Sequence, residues 1–344
     1  MNNIAHIRLA SHQLSGTHCQ TPESVVAWMG AMQAQDYNMA KWAIGVRLPG
    51  YMDKQVEDAF NQGKILRTHV LRPTWHLVSP ENIRWMLSLT AEKIKSSSRS
   101  RDRELEITEE LYGQSNRIIQ KALEGGQHLT REAIGEVLEK HKITVNSARL
   151  VHFLMRAEVE GIVCSGALQG KKQTYALLDE RAPSVPVLHK EEALAKLAKL
   201  YFQSHQPATL QDFVWWSGLS TTEARQGLEA VKSGLVAEEI NGQTYWLQND
   251  FREIPVAENF CCLLPAFDEY IIAYRDRSAA LLSEHYSKVV SSNGMFQPVI
   301  VVDGQVVGLW KKSASKKNPV LFDFFEQPDA NVMRQNHNIL IKYL

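Results

Sequence analysis

The chain has 344 residues, 44% of them hydrophobic and 22% charged, which is ordinary for a folded soluble protein and too long for one small module. Its formal net charge is zero and its sequence pI is near 7.2, so nothing draws the whole surface to nucleic acid, and any such binding must rest on a local positive face. The four cysteines form no CxxC pair or zinc spacing, no signal-peptide core opens the chain, and no apolar run nears the roughly 20 residues that span a bilayer; the expectation is a cytoplasmic protein without metal, cofactor or membrane partner.

Ile4, Ile7, Leu9 and Leu14 mark a first helix. Thr21-Pro22-Glu23 is a helix start: a capping hydroxyl, proline at the first helical position, then an acid. Val25, Val26, Trp28, Met29 and Met32 supply its apolar face. A third helix carries Met39, Trp42, Ala43 and Val46 and closes at Pro49-Gly50, and a fourth runs over 53–61 to Gly63. The period then changes. Residues 65–69 and 74–78 are β-branched or aromatic stretches around Arg72-Pro73 and predict a hairpin. Ser79-Pro80-Glu81 starts another helix, with the polar Ser96-Ser97-Ser98-Arg99-Ser100-Arg101 as a linker or frayed end. Across 64–103 nine Lys/Arg stand against three acids, a positive run that also fits a solvated helix face.

The order then recurs. Helices over 111–123, 130–141 and 147–160 precede strands over 162–168 and 173–178 around Gln169-Gly170-Lys171-Lys172. Helices at 193–202, 209–217 and 222–233 precede strands at 235–240 and 243–248, joined by the hairpin dipeptide Asn241-Gly242. Three helices and a hairpin make the winged-helix pattern, here repeating about every 80 residues. After 255 the chain turns to β, with strands at 260–264, 296–302, 305–310 and 320–325 and a last helix over 331–344. The expected fold is mainly α with β: three tandem winged-helix (helix-turn-helix) domains over 1–105, 106–185 and 186–252, then a small β-barrel or sheet over 253–344. In the second unit the candidate groove helix presents Arg149, His152 and Arg156, and its wing tip presents Lys171 and Lys172. The third unit has few basic residues at the equivalent places.

Three polar segments carry the chemistry. In Met32-Gln33-Ala34-Gln35-Asp36-Tyr37, residues two apart diverge by about 200° on a helix but face the same way on an extended chain. Gln33 and Gln35 therefore share a site only if the helix ends near Met32; otherwise they are two solvent-facing amides. In Arg67-Thr68-His69-Val70-Leu71-Arg72-Pro73-Thr74-Trp75-His76, alternation places Thr74 and His76 on one face and Trp75 on the other, which equally fits a core tryptophan with hydrogen-bonded histidines. Leu264-Pro265-Ala266-Phe267-Asp268-Glu269-Tyr270 with Arg275-Asp276-Arg277 is dense in acids, tyrosines and arginines, and also fits a salt-bridged turn.

Together these segments resemble the AlkZ/YcaQ superfamily of winged-helix DNA glycosylases. The resemblance implies tandem winged helices and a β-barrel around a DNA-sized cleft. It also implies a catalytic pair of the form Gln-aliphatic-Gln, here Gln33 and Gln35 around Ala34, as in the AlkZ branch rather than the YcaQ branch with aspartate second. On that footing Asp36 and His76 are further catalytic candidates, and Arg67, Arg72, Lys311, Lys312, Lys316 and Lys317 join the four basic residues of the second unit as DNA contacts. The implied protein hydrolyses alkylated bases from double-stranded DNA as a monomer without cofactor, and associates with the nucleoid when bound. No lysine stands out as a Schiff-base nucleophile, so base removal without strand cleavage is expected. The rival readings are a non-catalytic winged-helix regulator and a protein-interaction scaffold.

Overall fold

The computed structural model describes residues 2–48, 50, 52–186, 188–251, 256–257, 260–313 and 320–327. Contacts divide the chain into two compact units, Met1–Val56 with Ala195–Leu344, and Glu57–Leu194. The architecture is mixed α/β.

The first unit begins with α1 (Asn2–Ser11), α2 (Pro22–Met29), the short strand β1 (Ala31–Gln33) and α3 (Tyr37–Gly45); α4 (Asp53–Asn61) then carries the chain out of it. Thr21 caps α2 as its sequence foretold, in a reciprocal capping box with Ser24. The helix stops at Met29 because Gly30 adopts φ 76°, a conformation L side chains avoid. Met32, expected on that helix's face, lies instead in β1.

The second unit contains β2 (Leu66–His69), β3 (Trp75–Val78), α5 (Pro80–Glu104), α6 (Glu109–Leu123), β4 (Leu129–Thr130), α7 (Arg131–Lys140), α8 (Ser147–Val159), β5 (Val163–Ser165), β6 (Thr174–Leu177) and α9 (Leu178–Arg181). β2 and β3 form the expected hairpin, and β4-β6-β5 a three-stranded sheet. Tyr112, Ile119, Leu123, Ile134, Leu138, Phe153 and Leu154 fill the core between α6, α7 and α8. The stretch 96–101, expected as a linker or a frayed helix end, is no linker: it is the C-terminal part of the 25-residue α5, helical through Glu104. The run lacks glycine and proline, and the Lys95–Glu92 and Arg101–Glu104 pairs lie along it. Beyond it, buried Asp102 takes a hydrogen bond from Tyr112 Oη at 2.7 Å and pairs with His152 at 2.7 Å, which docks the helix end.

The chain returns through α10 (Lys190–Ser204), α11 (Leu210–Ser217), α12 (Thr221–Val231), β7 (Leu235–Ile240) and β8 (Gln243–Gln248). Asn241 and Gly242 both take positive φ, 52° and 75°, as a two-residue hairpin requires. Then follow β9 (Cys261–Leu264), α13 (Glu269–Ile272), α14 (Tyr286–Val289), β10 (Val299–Val302), β11 (Gln305–Lys312) and β12 (Val320–Phe324). The last four strands make an open antiparallel sheet in the order β12-β11-β10-β9. No closed barrel occurs among the described residues, since β12 does not pair with β9. Trp42 and Trp310 pack with centroids 5.0 Å apart and donate to the carbonyls of Leu263 and Leu264 at 2.8 and 2.7 Å, fixing α3 onto this sheet. The expected terminal helix over 331–344 lies outside the described residues. Among the described residues no helix is long and apolar enough to cross a membrane.

Candidate active site

Because α2 ends at Gly30, Gln33 belongs to extended chain rather than to a helix. Ala34 is fully buried, Gln33 is only 8% exposed and Gln35 is exposed. Asp36 follows as the N-cap of α3, and its Oδ1 accepts the backbone N–H groups of Asn38 and Met39 at 2.9 and 3.1 Å. Its carboxylate is thus engaged by a helix terminus.

The strand is held from far along the sequence. The Gln33 backbone N–H donates to Glu269 Oε1 at 2.7 Å, and Trp216 Nε1 donates to Glu269 Oε2 at 3.1 Å. Glu269 is 1% exposed and opens α13 behind its cap Asp268. Asp268 forms a two-pronged ion pair with Arg47, at 2.9 and 2.8 Å, and both side chains are fully buried. Arg47 also donates to the carbonyls of His12 and Ala43. The acid-rich segment around 268 is therefore a salt-bridged turn and also the anchor of the glutamine strand. The sequence marked that segment; its partners Arg47, Trp216 and Gln33 lie 53 to 236 residues away, and no local pattern linked them.

A layer of buried histidines backs this anchor. His12 and His205 meet edge to face at 4.8 Å, His12 Nε2 lies 2.8 Å from Tyr274 Oη, and Tyr274 donates to the His205 carbonyl at 2.9 Å. Burial first, then the neighbouring His205 and the guanidinium charges of Arg47 and Arg8, hold His12 well below the ordinary imidazole value of 6.5; burial also lowers His205. Below that value the unfolded chain binds more protons than the native one, so stability falls as pH drops through 6.5 and is flat above it. The slope reaches up to about 1.4 kcal/mol per group per pH unit. Urea midpoints at pH 5, 6 and 7.5 test this, and a midpoint that rises on acidification over that range would contradict it.

The second unit holds the remaining catalytic candidate. Thr68 opposes His76 across the β2–β3 hairpin, and Thr74 shares their face, as alternation required. His76 is fully buried and its Nδ1 lies 2.9 Å from the Thr74 carbonyl, which assigns the ring proton to Nδ1. Burial and the Arg72 charge keep the ring neutral, with its value far below 6.5. Nε2 is left as an acceptor with no hydrogen-bond partner among the described residues, as are the hydroxyls of Thr68 and Thr74. On the other face Trp75 stacks under the Arg67 guanidinium at 4.2 Å and donates to Glu158 at 3.3 Å, while His69 pairs with the same carboxylate.

The basic candidates divide by environment. Arg67 and Arg72 are half-buried at the hairpin. Lys171 and Lys172 are exposed at the β5–β6 turn. On α8, Arg156 is buried between Glu109 and Glu160, and Arg149 donates to the Leu105 carbonyl at 3.1 Å, so internal partners engage both. Lys311 is exposed on β11, and Lys312 lies over the Trp42 ring at 5.0 Å. Lys316 and Lys317 lie outside the described residues.

The described residues thus combine helices with antiparallel hairpins, and place Gln33 at the end of β1 and Gln35 two residues on, with the Glu269 carboxylate against that backbone. The family model described as DNA glycosylase AlkZ-like matches residues 26–322, and the chain belongs to that family. A relative from Streptomyces sahachiroi named interstrand DNA cross-link repair glycosylase is 25% identical over 309 residues, covering 83% of this chain and 81% of its own length. The solved structure of the Streptomyces sahachiroi DNA glycosylase AlkZ superposes with a TM-score of 0.82 at 21% identity, covering 99% of this chain and 96% of that one, and so shares its fold.

Proposed function

We propose that this chain is a monofunctional DNA glycosylase that hydrolyses the N-glycosidic bond of alkylated bases in double-stranded DNA, above all N7-alkylpurines. The observation that carries the reading is Gln33 at the end of β1 with Gln35 two residues on, both outside the helix that Gly30 ends, within a chain of the AlkZ-like DNA glycosylase family. The cross-link repair named for the Streptomyces relative supports counting bulky and crosslinked adducts in the substrate class.

The residue chemistry suits such a lesion. N-glycosidic hydrolysis passes through an oxocarbenium-like state, which sugar hydrolases meet with paired carboxylates. Glutamine amides do not ionise, but each offers an acceptor oxygen and two donors, enough to hold and orient a water. An N7-alkylated purine is a cation and departs as a neutral base without an acid, so placing the water supplies most of the help. The open Nε2 of His76 is an acceptor of the same neutral kind, for water or a DNA donor. Asp36, engaged as a helix cap, ranks behind the glutamines. The helix-and-hairpin sets support three winged-helix modules, 1–105, 106–185 and 186–252, followed by the sheet module 253–344. Arg67, Arg72, Lys171, Lys172, Lys311 and Lys312 are the described candidates for phosphate contacts.

The test is base release from duplex DNA carrying 7-methylguanine or, separately, uracil. Release of 7-methylguanine with uracil left in place is the expected result. Efficient uracil removal contradicts the mechanism. DNA binding without release of 7-methylguanine or a bulkier N7 adduct turns the reading to a non-catalytic regulator.

A further inference from the structure

We infer that Glu269 is a positioning residue for the Gln33–Gln35 pair, acting through the backbone amide of Gln33; the inference rests on the glycosylase reading. The bond from that amide is 2.7 Å, short for an N–H donor and of the charge-assisted kind. Its acceptor is almost fully buried, so solvent offers no substitute on either side. Each carboxylate oxygen has its own donor, Gln33 N–H on Oε1 and Trp216 Nε1–H on Oε2. His205 does not act as a third. Its Nε2 stands 3.8 Å from Oε2, and its Nδ1 lies 2.8 Å from Ser204 Oγ, whose own proton goes to the Leu200 carbonyl at 2.7 Å. Nδ1 thus carries the ring proton, and Nε2 presents a lone pair towards the carboxylate. Two N–H groups therefore satisfy the anion, and one of them belongs to the strand that bears the amides.

A water oriented by two amides loses rate steeply when they shift by an ångström or less. Gln33 is the last residue of β1 and Gln35 lies two residues on, past buried Ala34, so a pinned Gln33 peptide fixes the point from which both amides extend. The arrangement also makes glutamine at 269 an informative probe. An amide has one oxygen and one NH2, so it cannot accept from Gln33 and Trp216 together; its NH2 must oppose one of the two donors. Removing the indole N–H relieves that conflict and frees the amide oxygen for Gln33.

The experiment compares the native chain with Glu269→Gln, Trp216→Phe and the double variant. It measures single-turnover release of 7-methylguanine, affinity for undamaged duplex, circular dichroism and the Gln33 amide resonance. Glu269→Gln is expected to lower the single-turnover rate by about 10- to 100-fold with DNA affinity unchanged. Trp216→Phe added to it is expected to restore about tenfold. Native-like turnover by Glu269→Gln overturns the inference. So does a loss that the second change leaves in place, or one matched by lost DNA binding. If Glu269→Gln does not fold, the native Gln33 amide decides: a downfield, slowly exchanging proton supports the clamp, and a fast-exchanging one overturns it. Native protein that binds DNA but releases no base defeats the glycosylase reading instead, and the same resonance still reports on the clamp.

Discussion

Changing Gln33 and Gln35 together to alanine is expected to reduce 7-methylguanine release by about 10²- to 10⁴-fold, the range that positioned proton-transfer and water-orienting groups contribute in other enzymes. Two features of the geometry make the experiment clean. Gln35 is exposed, so its own truncation falls among surface substitutions that shift stability by within about 0.5 kcal/mol, and circular dichroism of the double variant checks that truncating buried Gln33 leaves the fold intact. Gln33 holds its strand through a backbone N–H that alanine keeps, so the bond to Glu269 survives the change. The residual rate then measures what DNA binding and the reactivity of a cationic base supply without the amides. Turnover that survives the double change moves the chemistry elsewhere, with His76 and Asp36 the next residues to truncate.

Arg47→Met and Asp268→Asn are each expected to destabilise the fold by about 3–5 kcal/mol, because each leaves one buried charge without its partner. Both side chains are fully shielded from solvent, so water cannot take over the lost bonds. Arg47 also satisfies two carbonyls, and Asp268 also caps α13 through the Tyr270 N–H at 2.9 Å, so neither change is confined to the pair. Changing both is expected to cost less than the sum of the single changes, since the stranded charge is then absent. Urea midpoints measure all three proteins. Single variants whose midpoints match the native chain would show that the pair contributes nothing net. Activity is informative as well: Asp268 precedes Glu269, so its loss should slow base release even where the protein remains folded.

Most helices and hairpins were legible from local signals. The cap at Thr21, the hairpin dipeptide Asn241-Gly242 and the alternation that puts Thr74 beside His76 each depend on atoms within a few residues. The misreadings share a cause. Met32 continues the helical spacing of α2, yet Gly30 had already ended the helix by its φ. Residues 96–101 look like a linker by composition but remain helical, because Asp102 beyond them is docked by Tyr112 and His152. Arg156 falls at a groove-facing position by spacing, and only packing shows it enclosed by Glu109 and Glu160.

The same division runs through the candidate site. By itself the sequence determined that two glutamines stand two apart, that a tight hairpin bears His76, and that an acid-rich turn follows strand β9. Those are facts of composition and short-range periodicity, set by interactions that span a turn or a strand. Only the tertiary structure decided that the buried turn at Asp268 and Glu269 grips Arg47 and the Gln33 backbone, 221 and 236 residues away. A buried carboxylate must find its donors wherever packing brings them, and a one-dimensional pattern carries no record of which distant N–H group that will be.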